Sequence, residues 1–249
     1  MNLYDNERID YVNDSLSLIQ KTDGLTFGTD ALLLAGYISS RYNDGVELGG
    51  GSGIISMLLL TRDKLTHATA VEVQESYADL IRRNAELNSL SERLTSVCSD
   101  ARDYIHGREC ELVYTNPPYM KATSGRQNAL SAKNIARHEI CGDISDFTAA
   151  GARLLKYGGT FAAVYRPDRL CDLIYALRKS SLEPKRMTFV HADTNSESSM
   201  VLLIAKKGAR SGMQLTRPLI IYRDSEHKRY SDDMEYIMEN GNFPDDFKR

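Results

Sequence analysis

The sequence predicts an open, doubly wound α/β sheet, mostly parallel, with one antiparallel strand near its end. Three observations predict it. Extended and helical runs alternate from Gly45 to Arg178. A glycine cluster, Gly49-Gly50-Gly51-Ser52-Gly53, separates the first of these strands from its helix. After Pro184 two extended runs follow one another with no helix between them, the pattern of an antiparallel pair. A chain of 249 residues, 42% hydrophobic and 26% charged, is long and apolar enough to bury the core such a sheet needs.

In chain order, Ala31 to about Arg41 reads as an opening helix with Thr29 and Asp30 as its caps. Gly45–Leu48 is a short strand that stops at the glycine cluster, and Ile54–Thr61 is the helix that follows. His67–Val73 is the second strand, and Glu75–Asn88 is a helix with Tyr77, Leu80, Ile81 and Ala85 on one face. Leu94–Cys98 and Glu111–Thr115 are further strands, separated by a short segment Ala101–Ile105. A helix from about Ile144 to Leu155, a turn at Gly158 and Gly159, a strand Thr160–Tyr165 and a helix Asp168–Arg178 continue the alternation. Lys185–Val190 and Ser199–Lys206 form the expected antiparallel pair. The domain reading is an N-terminal segment and helix over 1–44, the main domain over 45–210 and an acidic appendage over 211–249 packed on or trailing that single domain. The part from Tyr222 onward carries eight acids against five bases and reads as solvated.

Composition excludes several classes of function. The formal charge of −3, from 31 Lys and Arg against 34 Asp and Glu, gives no global basic field, so a nucleic-acid partner needs a local patch. No apolar run approaches the roughly 20 residues of a membrane helix. Met1–Asp10 lacks a cationic start followed by an apolar stretch, so no secretory signal and a cytoplasmic location are expected. Cys98, Cys110, Cys141 and Cys171 have no metal-clip spacing and read as inert thiols in a reducing compartment. The five histidines form no HExxH or HxH pair, so no metal site is expected.

The chemistry concentrates at strand ends, where ligands of doubly wound sheets bind. Glycines at 49, 51 and 53 permit a turn with no side chain between backbone and ligand, and Glu47 lies beneath it, which implies a small molecule with an amino group. The dinucleotide pattern GxGxxG fails, because Ile54 or Ser56 occupies its third glycine. Alone, such a turn is also compatible with no ligand. Glu72 ends the second strand 23 positions after Gly49, where an acid accepts hydrogen bonds from two ribose hydroxyls. Asp100 closes the third strand; it suits an adenine amino group or simply caps residues 101–105.

Asn116-Pro117-Pro118-Tyr119 is the most specific feature. Two prolines after a buried strand stiffen the backbone and remove two N–H donors, so the Asn116 and Pro117 carbonyls stand as fixed acceptors. With the Asn116 side-chain oxygen they suit both hydrogens of a planar amine, and the Tyr119 ring suits stacking on the base or amide that carries it. Met120–His138 follows with Lys121, Arg126, Lys133 and Arg137 and no acid, and reads as a basic loop beside the site.

These residues resemble a known family. GVELGGGSG, VEVQ and NPPY, in this order, are similar to the motifs of the class I methyltransferases that use S-adenosylmethionine to modify exocyclic or amide nitrogens. LTFGTDALLLAGY, ARHEICGD, LLKYGGTFAAVYRPDRL and KRMTFVHADTNSESSMVLLIAKKG extend the resemblance, from about residue 8 to 222, to the bacterial tRNA1(Val) adenine-37 N6-methyltransferases. One departure is Glu47-Leu48-Gly49-Gly50, where many members carry Asp-Leu-Gly-Thr or Asp-Leu-Gly-Cys; the charge is kept.

The resemblance implies a Rossmann-like methyltransferase fold, S-adenosylmethionine as cofactor and the anticodon loop of a tRNA as partner, with no membrane and no metal. It implies Glu47 near the methionyl amino group, Gly49, Gly51 and Gly53 under the cofactor, Glu72 with Val73 on its ribose, and Asp100 with Ala101 at its adenine. Asn116 lies between cofactor and target, where acceptors from Asn116 and Pro117 pull an adenine N6 toward a tetrahedral, nucleophilic form and Tyr119 clamps the extruded base. Arg137-His138-Glu139 matches the family, as a loop-anchoring salt bridge or as an RNA contact. Lys185 and Arg186, with Lys206, Lys207 and Arg210, would extend the basic patch if they are not merely a solvated face. Two other functions share the motifs: N5-glutamine methylation of a protein such as a release factor, whose chains typically carry a separate N-terminal helical domain, and a non-catalytic cofactor-binding RNA module.

Overall fold

The computed structural model describes residues 3–22, 27–117 and 142–248. The chain opens with a hairpin, β1 (Glu7–Asn13) and β2 (Leu16–Lys21), paired antiparallel as a sheet of its own. The hairpin occupies the N-terminal segment that precedes the helix expected within residues 1–44. The helix is α1 (Thr29–Tyr37), and its N-cap is Gly28, not Thr29 or Asp30; it stops at Tyr37 rather than Arg41.

The alternation then runs as expected: β3 (Tyr42–Leu48), α2 (Ile54–Thr61), β4 (Leu65–Glu72), α3 (Glu75–Leu87), β5 (Leu94–Cys98) and β6 (Cys110–Thr115). Residues 101–103 form a turn and no helix. After the undescribed stretch come α4 (Ile144–Leu154), β7 (Leu155–Tyr165), a 3-10 turn at Pro167–Arg169, α5 (Leu170–Lys179), β8 (Leu182–His191) and β9 (Ser198–Lys207). Two short strands, β10 (Gln214–Leu215) and β11 (Leu219–Ile220), and a last helix, α6 (Asp232–Asn240), complete the order.

The main sheet runs β10-β8-β9-β7-β6-β3-β4-β5, with β11 also on β8. Every described pair is parallel except those of β9, which lies antiparallel between β7 and β8. The chain winds outward from β3 through β4 to β5, then returns to β6 on the other side of β3. The winding therefore reverses between the carboxyl ends of β3 and β6, the crevice where doubly wound sheets bind ligands.

Two apolar layers cover the sheet. On one face α1, α2, part of α3 and α6 pack with Tyr114, Ala162 and Leu202; on the other, α4 and α5 pack with Val46, Val113 and Phe161. Helix α2 is buried on all sides from Ile54 to Leu60, and an eight-residue helix of this apolarity is held by burial rather than by propensity. The C-terminal stretch is packed on the domain and does not trail it, so its charge count is no sign of solvation. Met234, Ile237, Phe243 and Phe247 are buried in the same core as Leu16, Leu33 and Leu58, and the Phe243 ring meets Tyr37 edge-on at 5.2 Å. The acids that suggested solvation lie on the outer surface of that segment, where Arg217 pairs with Asp233 and Asp246. Among the described residues no helix is long and apolar enough to cross a membrane.

Candidate active site

The glycine turn is built by two separate constraints. Gly49 and Gly50 both donate their N–H to Val71 O, at 2.9 and 3.0 Å, which folds the turn back over β4. A Cβ at Gly50 would come within 2.9 Å of Ile81 Cδ1 on α3 and 3.2 Å of Ala70 Cβ, so a side chain there requires Ile81 to shift. Gly51 is different. Its φ of 55° favours glycine, and a Cβ there would meet nothing within 4 Å, so bare backbone faces open space.

Glu72 borders that space. Its Oε2 accepts the Gly51 N–H at 3.0 Å and its Oε1 accepts the Gln74 N–H at 3.0 Å. A carboxylate oxygen has two lone pairs, so each keeps acceptor capacity after the backbone bond that orients it. Val73 follows as a half-buried bend residue. The open face of Gly51 and the oriented carboxylate beside it fit a ligand with vicinal hydroxyls, as a ribose has.

Glu47 sits one layer lower and is fully buried. The Ser56 N–H donates to its Oε2 at 3.2 Å, the Ser56 hydroxyl bonds the same oxygen, and Ser56 Oγ lies 2.6 Å from the Tyr114 hydroxyl. Burial, against these hydrogen bonds, pushes the Glu47 carboxyl up to about 8, and the Glu72 charge adds to the rise. Burial likewise holds Tyr114 well above its ordinary value. Ser56 and Tyr114 were not singled out by the sequence reading; a lone serine in an otherwise apolar helix was the available signal.

Asp100 is half-buried, and Arg102 engages it through its backbone N–H at 2.8 Å and through its guanidinium. That contact holds the Asp100 carboxyl below its usual range. The geometry brings out the turn-capping alternative, while Ala101 packs against the core beside it.

At the end of β6, Thr115 Oγ1 donates to Leu48 O at 2.8 Å and locks the ends of β6 and β3 in register. Asn116 follows, half-buried, with Pro117 buried behind it. Asn116 Nδ2 donates to Asp30 Oδ2 at 2.8 Å, a partner the sequence reading took only for a helix cap. Asp30 in turn lines a cavity of about 850 Å³ with Thr29, Arg166, Pro167, Ser198 and Met200.

The expected site residues Pro118, Tyr119, Lys121, Arg126, Lys133, Arg137 and His138 lie outside the described residues. Lys185 and Arg186 are described, and the structure does not bring them to this site. Arg186 is two residues inside the register row of Asn116 and three strands across; its guanidinium lies 4.2 Å from the Tyr37 ring and donates to Tyr37 O at 2.6 Å. Lys185 Nζ donates to Arg210 O at 3.2 Å. Lys206 and Lys207 lie at the opposite end of the strands, level with Thr160 and Leu182. They thus lie toward the amino ends of β7 and β8, while Lys185 and Arg186 stand three strands from β6 on a strand that runs in the same direction.

The fold recurs in a solved structure described as a predicted O-methyltransferase from Agrobacterium tumefaciens, with a TM-score of 0.70 and 21% identity over 86% of this chain and 98% of that one. Fold and cradle together are those of a class I methyltransferase whose methyl donor is S-adenosylmethionine. The chain belongs to the methyltransferase small domain family, whose family model matches residues 21–168. Two relatives carry the name tRNA1(Val) (adenine(37)-N6)-methyltransferase. The one from Dyadobacter fermentans is 24% identical over 203 residues, 81% of this chain and 71% of the relative. The one from Porphyromonas gingivalis is 24% identical over 185 residues, 70% of this chain and 72% of the relative.

Proposed function

We propose that this enzyme methylates the exocyclic N6 of an adenine in tRNA, at position 37 of the anticodon loop, and that it does so in the cytoplasm. The observation that carries the chemistry is the placement of Asn116 at the reversal point of the sheet, beside the Gly51–Glu72 cradle, with its amide nitrogen held by Asp30. The names of the relatives support the substrate. Residues 45–210 would carry cofactor and chemistry, with 1–44 and 211–249 packed around them.

Gly51 and Glu72 would hold the cofactor's ribose, Glu47 would lie beneath its amino group, and Asp100 with Ala101 would border its adenine. When bound, the cofactor supplies an electrophilic methyl group. An adenine N6 lone pair is delocalised into the ring. The Asn116 side-chain carbonyl and the Pro117 main-chain carbonyl would accept its two hydrogens and favour the pyramidal nitrogen, whose lone pair would form the new N–C bond as the methyl's bond to the sulfonium sulfur breaks and its electron pair goes to sulfur. No strong base is required, because the methylated nitrogen is cationic until it gives its proton to water. Catalysis is then mostly positioning, which rigid acceptors after a buried strand supply. An anticodon loop presents an adenine that is already partly unstacked, so extruding it costs less than from a paired duplex.

The test offers labelled methyl donor with total tRNA, duplex DNA and a release factor in parallel and digests each product to monomers. Label in N6-methyladenine from tRNA is expected. Label in N5-methylglutamine, or in no product, overturns the reading.

A further inference from the structure

Asp30 occupies the first turn of α1, where an acid ordinarily does no more than complement the helix N-terminus. Here its two oxygens are used separately. Oδ1 accepts the N–H of Ala31 at 2.9 Å, and Oδ2 accepts the Asn116 side-chain amide at 2.8 Å, from a residue 86 positions away. Complementing the helix end requires the first contact and not the second.

We propose that Asp30 is a positioning residue that fixes which end of the Asn116 amide meets the reacting amine, an inference that rests on the methyl-transfer reading of Asn116. An asparagine amide has a donating and an accepting end of almost the same shape, and a half-turn about its last torsion exchanges them. For a target amine the two orientations have opposite effects: the carbonyl accepts its hydrogens, whereas the NH2 group presents hydrogens to hydrogens. An ionised carboxylate only accepts. Asp30 therefore takes the NH2 end and assigns the carbonyl end to the substrate. Asp30 lines the 850 Å³ cavity and touches Asn116 directly at 2.8 Å, close enough to the reacting groups for a small displacement to be felt in the rate.

Asp30→Asn is the sharpest variant, because its shape is unchanged and only its bonding is altered. If its carbonyl faces Asn116, its own NH2 opposes the Ala31 N–H; if it faces the other way, Asn116 must flip. Expected is a fall in kcat on tRNA of about 10- to 100-fold. The KM for tRNA and the Kd for S-adenosylmethionine should stay within about threefold of wild type. Added to Asn116→Ala, the same change should alter the residual rate by less than about twofold, since the group it orients is gone. A second readout needs no RNA. In 15N NMR the Asn116 side-chain NH2 pair should be protected from exchange in wild type and lose that protection in Asp30→Ala. An unchanged kcat in folded Asp30→Asn, a full further loss in the Asn116→Ala background, or an unprotected wild-type amide overturns the proposal. A protected amide in a protein inactive on tRNA would count against the substrate reading and support the orientation.

Discussion

Gly51 donates its backbone N–H to Glu72 Oε2 at 3.0 Å, so the turn after β3 and the acid that ends β4 are one unit. The bond orients one carboxylate oxygen, the Gln74 N–H orients the other at 3.0 Å, and beside them a Cβ on Gly51 would meet nothing within 4 Å.

Replacing Glu72 tests that unit. Glu72→Ala removes two acceptors for ribose hydroxyls, each worth about 1.5 to 3 kcal/mol as a hydrogen bond to a charged group. Calorimetry should show S-adenosylmethionine binding weakened by at least about 100-fold, the lower end of that sum. Wild-type affinity in the variant would remove Glu72 from the cofactor site.

Binding and chemistry should separate at Asn116. Its side chain is held by Asp30 at the end of β6, outside the glycine turn, so Asn116→Ala should keep cofactor affinity within about tenfold, or 1.4 kcal/mol. Methyl transfer should fall by more than about 100-fold. Single-turnover kinetics with saturating donor measures this, and turnover near the wild-type rate would show that the amide does not act.

The buried Glu47 predicts a pH dependence with a definite sign. An unfolded glutamate titrates near 4.5, whereas the folded group keeps its proton up to about 8. Between those values the folded state binds more protons than the unfolded one. The contribution is fully present below pH 4.5 and is lost as pH rises through 8. Glu47→Gln should flatten that part of the stability profile in urea titrations, and an unchanged slope would show that Glu47 is ionised when folded. A cationic amino group placed beside Glu47 favours the carboxylate. S-adenosylmethionine binding at pH 7 should therefore release protons in wild type and not in Glu47→Gln, as read from binding enthalpies in buffers of different ionisation heat.

Phe243 tests the C-terminal packing. It is 1% exposed, edge-on to Tyr37 and to Phe247, so Phe243→Ala should cost about 3 to 5 kcal/mol in equilibrium unfolding. A loss below about 1 kcal/mol, the size of an ordinary surface substitution, would mean that the segment detaches without consequence.

Much of this protein was legible along the chain alone. Helix α2 and strand β5 have the bounds read from the sequence, Ile54–Thr61 and Leu94–Cys98, because Gly53 and the turn before Leu94 punctuate them locally. Glu72, the glycine turn and Asn116 were found for the same reason: strand ends are marked by residues whose backbone freedom or rigidity is a property of the residue itself. Tertiary structure decided what depends on partners distant in sequence. The hairpin β1–β2 went unread because its second strand buries Leu18, Ile19 and Gln20 in succession, and Asn84 on α3 rather than alternation secures it, bonding both the N–H and the carbonyl of Ile19. The stretch from Tyr222 onward looks solvated by charge count, yet Met234, Ile237, Phe243 and Phe247 join a core whose other members run from Leu16 to Ile221. That Lys185 and Arg186 stand three strands from Asn116, with Arg186 on the Tyr37 ring, follows from the strand order, which no local pattern carries. Asp30 was legible as an acid in a first helical turn; that its second oxygen holds Asn116 required α1 to lie against the end of β6. Hydrogen bonds of that kind have no sequence period, since they are set by the distance between two elements after packing and not by the spacing of residues within either.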